Sequence, residues 1–440
     1  NKKIILKSNL LKFLNILQSF FLILFKIIIC KCISKKIKNI KKITLIDTYK
    51  FDDYYEKDRY YGNFYDDLDF DKLNKIYFVP TIISLKIYKI YKIYKYLIKS
   101  KENYLFKENY IKIIDLIEIF KFHIEYKQLD FNIDYNNFSF KELLTEINNN
   151  DSRFYFIYET ILTYIFIKNL KNNKVDVRCS IDWFENQIID KAWNSGFNKF
   201  YPKTILKGYR GIVPPNLYIS QMYPTEIERL SKVLPKKIVV IGEGFINEAK
   251  KYLGVNNIET GPALRFKSIF NKLNITKSTN YKILVILPSS YIITDKIISE
   301  LYKIKFPLKT EVYIRFHPFT NRDIKLLNNF KKSELDFSEE IINTNLVICN
   351  FTSSALETLA HNIDLIFFNP LSNFNNISIP KNLSKSYYKI SYDSADLQKN
   401  INHYFNLYVS NSLQKSNNDI IKNYFIKPTK SNILKFLEIR

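Results

Sequence analysis

The 440-residue chain is poor in the residues that usually mark a sharp chemical motif, with eight glycines, thirteen prolines, four cysteines and four histidines. Cys30, Cys32, Cys179 and Cys349 form no CxxC pair and no zinc-ligand spacing. Cys179 and Cys349 fall in apolar strand-like runs, where a free buried thiol is the ordinary reading, and this usage points to a reducing, cytoplasmic setting. A GxxxxGK[ST] phosphate loop, a GxGxxG turn, an HExxH pair and a strand-end DxD pair are all missing, so neither a metal nor a resident cofactor is expected. The acids of "YDDLDFD", residues 65–71, read instead as a solvated helix face or N-terminal turn. Glycine, alanine and proline are scarce where isoleucine, lysine, asparagine, tyrosine and phenylalanine abound. That pattern suits AT-biased codon usage and weakens inference from composition, the net charge of +24 included.

What is present is apolar mass. With 46% hydrophobic and 16% aromatic residues the chain can bury substantial cores, and its length predicts two domains rather than one. The basic balance favours anionic partners such as phosphate groups or lipid headgroups. Nucleic acid is not expected, because the lysines are spread along the chain rather than gathered at a nucleic-acid motif. The repeat "LKIYKIYKIYKYLIK" (85–99) interleaves lysine with tyrosine, which would suit base stacking. Its period reads more simply as a helix with a wide apolar side and solvated lysines.

Near the N-terminus, "FLNILQSFFLILFKIIIC" (13–30) is apolar but interrupted, and its longest unbroken run is six residues. That is short of the ~20 expected of a membrane span. Residues 1–42 hold eleven lysines and no acid. Such a segment suits a helix lying on an anionic membrane surface, and equally a first helix packed on the domain with its lysines in water.

Strand and helix patterns then alternate. "KITLIDTY" (42–49) and "KIYFVPTI" (75–82) read as buried strands with a helical stretch between them, a β-α-β unit. A long buried helix, "RFYFIYETILTYIFIKNL", precedes the strands "KVDVRCSID" (174–182) and "KTILKGYRG" (203–211), and "WFENQIIDKAWNSG" reads as a helix closed by Gly196. The glycines concentrate between Gly196 and Gly261, which suggests backbone positions needing positive φ or close approach to a ligand. A second alternation opens at "PKKIVVIGEGFINEAKKYLG" (235–254), with Gly254 as a C-cap, and runs through "YKILVILPSS", "TEVYIRFHPF", "TNLVICNF" and "DLIFFNP". The predicted class is α/β: a basic apolar segment (1–42), a Rossmann-like domain (43–230), and a second Rossmann-like domain with closing C-terminal helices (231–440), the two domains facing each other across a cleft.

Ligands of open α/β sheets bind beyond the carboxyl ends of the strands. Three features fall there in the second domain: Gly242 and Gly244 in the Gly-Glu-Gly turn, Arg315 with His317, and Thr352-Ser353-Ser354 opening a helix. The hydroxyls and free N–H groups of that helix start suit a phosphate. Alone, Thr352 or Ser353 reads equally as an N-cap, with Glu357 completing a capping pattern. The arginine and histidine at a neighbouring strand end tip the balance towards a phosphate site. His123 and His361 read as ordinary histidines on helices.

"YIRFHPFT" followed by "TNLVICNFTSSALETLAHNIDLIFF" resembles the His-Pro and Ser-Ser motifs of GT-B glycosyltransferases that use CMP-sugars, such as bacterial sialyltransferases and Kdo transferases. Similar segments occur in CDP-glycerol polymerases. "FENQIIDKAW", "KGYRG" and "GPALRF" are similar to segments of a family of bacterial surface-carbohydrate biosynthesis proteins. The resemblance covers residues 175–370 in motif form, with fainter echoes at 43–82. It implies that His317, Ser353 and Ser354 bind the donor nucleotide. Arg265 and Arg315 would clamp phosphate or carboxylate, unless either pairs with a structural acid. Lys207, Tyr209 and Arg210 would line an acceptor cleft.

The acidic general base of such enzymes often sits in an Asp/Glu-Asp/Glu-Gly motif, which this sequence lacks. Glu185 is the nearest candidate, with Asp182 behind it, and a helix-N-terminal acid is its alternative role. The implied function is metal-independent sugar transfer from a nucleotide-activated donor, CMP-linked by preference, to a glycan or lipid-linked glycan on the inner face of the cytoplasmic membrane. A polyol-phosphate transferase of the same fold, or a sugar-nucleotide-binding protein without turnover, are the rival readings.

Overall fold

The structure, a computed structural model, describes residues 2–52, 55–56, 58–126, 132–150, 154–213, 224–253, 257–271, 280–317, 330–371, 377–410 and 418–439. The chain divides into two compact units. Asn1–Tyr209, Pro224–Val239 and Thr429–Arg440 form the first; Arg210–Tyr223 and Val240–Pro428 form the second.

Six strands form the first sheet: β1 (Ile43–Phe51), β2 (Ile76–Ile83), β5 (Val177–Trp183), β6 (Ile205–Arg210), β7 (Lys237–Val240) and β8 (Ile258–Thr260), in the order β2-β1-β5-β6-β7-β8. Two short strands, β3 (Asp134–Tyr135) and β4 (Phe138–Ser139), form a separate antiparallel hairpin. β1 runs parallel to β2 and to β5, and β5 parallel to β6. These strands are buried along almost their whole length, as strands covered on both faces require. The second sheet contains β9 (Tyr281–Ile286), β10 (Thr310–Arg315), β11 (Phe330–Lys332), β12 (Leu346–Cys349), β13 (Asp364–Phe368) and β14 (Lys389–Ser391). Its order is β11-β10-β9-β12-β13-β14, all parallel, which is the doubly wound Rossmann order. Both expected Rossmann-like sheets are therefore present.

Three details differ from the sequence reading. The strand at 237–240, expected to open the second alternation, is the fifth strand of the first sheet. An apolar run reads the same whichever sheet takes it. The C-terminal helices divide: Ser394–Val409 and Asn418–Tyr424 belong to the second unit, whereas Lys430–Phe436 returns to the first. There Thr44 Oγ1 donates to the Leu437 carbonyl at 2.8 Å. Gly196 does not close its helix, which runs from Ile188 to Phe200. A Cβ at Gly196 would lie 2.7 Å from Ile167 Cδ1, so the glycine allows close packing on the helix Phe154–Asn172. The proposed cap at Gly254 lies outside the described residues.

The N-terminal segment is one helix, Lys2–Ile33, docked on the first unit through Leu22, Ile23, Ile27 and Cys30. By length and composition its Leu11–Ile33 stretch is enough to cross a membrane, the polar interruptions notwithstanding, although a third of it is buried in the protein. Lys26 is buried with it and donates to Tyr155 Oη (3.0 Å), the Ile82 carbonyl (3.2 Å) and Glu159. Glu159 also receives Lys107 at 3.2 Å. Burial opposes the Lys26 charge, but Glu159, Tyr155 and Glu108 outweigh it and hold the ammonium proton above the ordinary lysine range. The helix Ile87–Lys99 buries Ile90, Ile93, Tyr94 and Leu97, the apolar side that its Ile-Tyr-Lys repeat predicts.

Candidate functional site

In the second sheet the strand order reverses between β9 and β12, and the carboxyl edge there is where such sheets bind ligands. His317 follows β10, on one side of β9, and Thr352-Ser353-Ser354 follows β12, on the other. At one strand spacing of ~4.8 Å the two flanking strands lie roughly 10 Å apart. His317 is half-buried; Pro318 and the rest of the His-Pro corner lie outside the described residues. Ser353 adopts helical angles (φ −65°, ψ −20°) and its side chain makes no capping bond. Thr352 takes that part, its hydroxyl accepting from the Ser354 N–H at 3.3 Å. The two serine hydroxyls are thus not used to cap the helix Ser354–Ala360.

One turn into that helix lies an acid whose spacing suits a capping pattern but whose place is different. Glu357 is buried, and Ser268 Oγ donates to its Oε1 at 3.1 Å. Burial pushes its carboxyl up to about 7, against the Arg265 charge, the Ser268 hydrogen bond and the Arg315 charge, which hold it down. The structure therefore brings the two candidate arginines around one acid. Arg315, the last residue of β10, also donates to the Leu335 carbonyl at 2.5 Å and lies over the Phe337 ring. A buried carboxyl that accepts from a serine hydroxyl and feels the charge of two arginines suits recognition of hydroxyls beside an anion. His361, at the end of the same helix, is buried, and burial lowers it to about 4.

Gly242 and Gly244 have a different explanation from the one expected. Gly242 is extended (φ −168°), and a Cβ there would overlap the Tyr424 backbone; one on Gly244 would overlap the Tyr424 ring. Their lack of a side chain is accounted for by packing in the second unit, not by a ligand.

In the first sheet the order reverses between β1 and β5. Both strands carry an aspartate there after an apolar run, Asp47 in "LIDTY" and Asp182 in "CSIDW". Asp47 accepts from the Trp183 N–H at 3.1 Å, and Asp182 from Asn194 Nδ2 at 2.7 Å. Asp190 accepts from the Glu185 and Gln187 N–H groups, both at 2.9 Å, and from the Tyr49 hydroxyl at 3.2 Å. All three aspartates are buried. Burial raises Asp47 to about 7. Burial also raises Asp182 and Asp190 well above the carboxylate range, reinforced by the neighbouring aspartates. Three carboxylates so close cannot all ionise in a low-dielectric interior. Tyr61, completely buried, brings its hydroxyl towards the same acids, and its ring stacks on Tyr209 with centroids 5.7 Å apart.

Only Glu185 in this group is partly exposed, and it accepts from Trp183 Nε1 (2.8 Å) and Gln187 Nε2 (3.0 Å). Asp182 is sealed from solvent and out of reach of an acceptor. Of the three residues expected to line a cleft, Lys207 is buried, bonding the Phe436 carbonyl at 3.0 Å and Glu438 at 2.9 Å. Tyr209 is fully buried and Arg210 nearly so. These three serve packing rather than an open surface. Asp47 and Asp190, which the sequence reading passed over, carry a readable signal: an acid set within an apolar run or just after it. Among the described residues no group of three or more His, Cys, Asp or Glu is placed to hold a metal ion.

No family model and no curated protein matches the chain in sequence. Solved structures match it in fold. UDP-GlcNAc 2-epimerase from Neisseria meningitidis, bound to UDP-GlcNAc, aligns with 90% of this chain and 100% of its own at 12% identity, with a TM-score of 0.50. The UDP-GlcNAc 2-epimerase from Methanocaldococcus jannaschii aligns with 90% of this chain and 99% of its own, again at 12% identity and a TM-score of 0.50. At that identity the likeness is one of fold, two Rossmann-like halves in a single chain.

Proposed function

We propose that a chain of this fold, with these groups at its strand ends, is a GT-B-type glycosyltransferase of cell-surface glycan assembly using a nucleotide-activated sugar, CMP-linked by preference. The observation that carries the reading is the carboxyl edge of the second sheet, where Ser353, Ser354 and His317 flank β9 and Glu357 sits among Ser268, Arg265 and Arg315. In this reading the serine N–H and hydroxyl groups and His317 hold the nucleotide phosphate, and Glu357 accepts from its ribose hydroxyls. A carboxylate base takes the proton of the acceptor hydroxyl as that oxygen bonds to the anomeric carbon. The bond from that carbon to the phosphate oxygen breaks, and the nucleotide leaves with the electron pair. Cytidine rests on the His-Pro and Ser-Ser motifs alone.

A second reading is favoured by the fold match: rearrangement of a UDP-sugar with no acceptor, the reaction class named for the two epimerases. One screen separates the two. Melting temperature is followed with CMP, CDP, UDP, GDP and their sugar conjugates, since a ligand at 100 times its Kd stabilises by about 2.7 kcal/mol. Cytidine nucleotides should give the shift, and His317→Ala and Ser354→Ala should abolish it without lowering the unliganded melting point. A shift with UDP alone removes the CMP donor, and conversion of UDP-GlcNAc without acceptor establishes the epimerase reading. No shift with any nucleotide overturns both.

A further inference from the structure

Over residues 11–33 the helix Lys2–Ile33 buries one face and leaves the other bare. Leu11, Leu14, Phe21, Phe25 and Ile28 are exposed, Phe21 by 51%. With Gln18 and Cys32, also exposed, they recur at alternating intervals of three and four residues, which is a single stripe along an α-helix. It extends ~32 Å at the helical rise and contains no charged residue. Leu22, Ile23, Ile27 and Cys30, with Lys26 bonded to Glu159, occupy the opposite face inside the first unit. At the end of the stripe Lys31 donates to the Ile111 carbonyl at 2.7 Å. This brings beside it the turn carrying Ile113, 81% exposed, and Ile114, also exposed. Lys31, Lys35, Lys38, Lys41 and Lys42 follow, all exposed, and no acid occurs in the first 42 residues.

We propose that this face docks on an anionic lipid bilayer, the phenylalanines and isoleucines entering the headgroup boundary while the lysines meet lipid phosphates. An uncharged apolar stripe ending in a lysine-rich segment is the composition that such a surface binds. The helix lies on the membrane rather than crossing it, because its other face, with a buried lysine–glutamate pair, is part of the domain core. A second copy of the chain is the weaker occupant. Although three-four spacing also makes a helix-pairing seam, two copies meeting there would oppose lysine-rich segments with no acid to answer them. The proposal is independent of the activity proposed above.

The test is flotation of the full chain with phosphatidylcholine vesicles, with and without phosphatidylglycerol. Binding should require phosphatidylglycerol and be released by salt. The double variant Phe21→Ser/Phe25→Ser should lose roughly tenfold or more in partitioning, with an unchanged melting temperature because both side chains are exposed. Equal binding to neutral vesicles, retention in high salt, or full binding by the variant overturns the proposal. So does a parent dimer that binds no vesicles and that the double variant converts to a monomer.

Discussion

Asp182 and Glu185 are three residues apart and meet opposite fates. The first is sealed behind the last residues of β5; the second lies in the turn beyond, partly exposed and oriented by Trp183 and Gln187. The residue types alone cannot separate them, because burial is set by neighbours distant in sequence, Asp47 and Asn194 among them. Their difference has a measurable consequence. Burial and Asp190 raise the folded-state pKa of Asp182, so its protonated form contributes stability below the ordinary carboxylate range. That contribution is lost as pH rises through the raised value. Asp182→Asn mimics the protonated form at every pH. Urea unfolding should show the variant gaining on the parent as pH rises above the ordinary carboxylate range. A pH-independent difference between the two would show that Asp182 is ionised in the folded protein.

Among the elements, strands and helices were legible to the extent that local pattern dictates them. The apolar runs at 43–51, 177–183 and 346–349 announce strands buried on both faces, and the Ile-Tyr-Lys repeat announces its helix. Glycine was legible only as an anomaly. Its scarcity marked Gly196, Gly242 and Gly244 as special, yet the reason is close packing against Ile167 and Tyr424 rather than turn geometry or a ligand. Gly242→Ala should therefore destabilise by roughly 1–3 kcal/mol, the usual cost of overpacking a filled site. The urea midpoint should fall while nucleotide binding to the remaining folded protein is unchanged. If binding is lost while stability holds, the glycine faces ligand after all.

At the scale of the molecule, the chain returns to its first unit after completing the second, and the N-terminal helix is held there by apolar contacts and a buried lysine. Lys26→Met leaves Glu159 with Lys107 as its remaining cation. It should cost ~3 kcal/mol, as for a broken buried pair, and expose residues 2–33 to proteolysis. Unchanged stability and protection would mean that apolar contacts alone hold the helix. The sequence by itself determined the α/β class, the two Rossmann-like sheets and the strand-end position of His317 and the serine pair. These follow from periodicity and run length, which are local. Only the tertiary structure decided that residues 237–240 join the first sheet, that Glu357 is buried beside Ser268, and that one face of the first helix is left bare over residues 11–33. Backbone pairing between parallel strands is indifferent to side-chain identity, and burial sums over residues far apart in the chain; neither is written in any single segment.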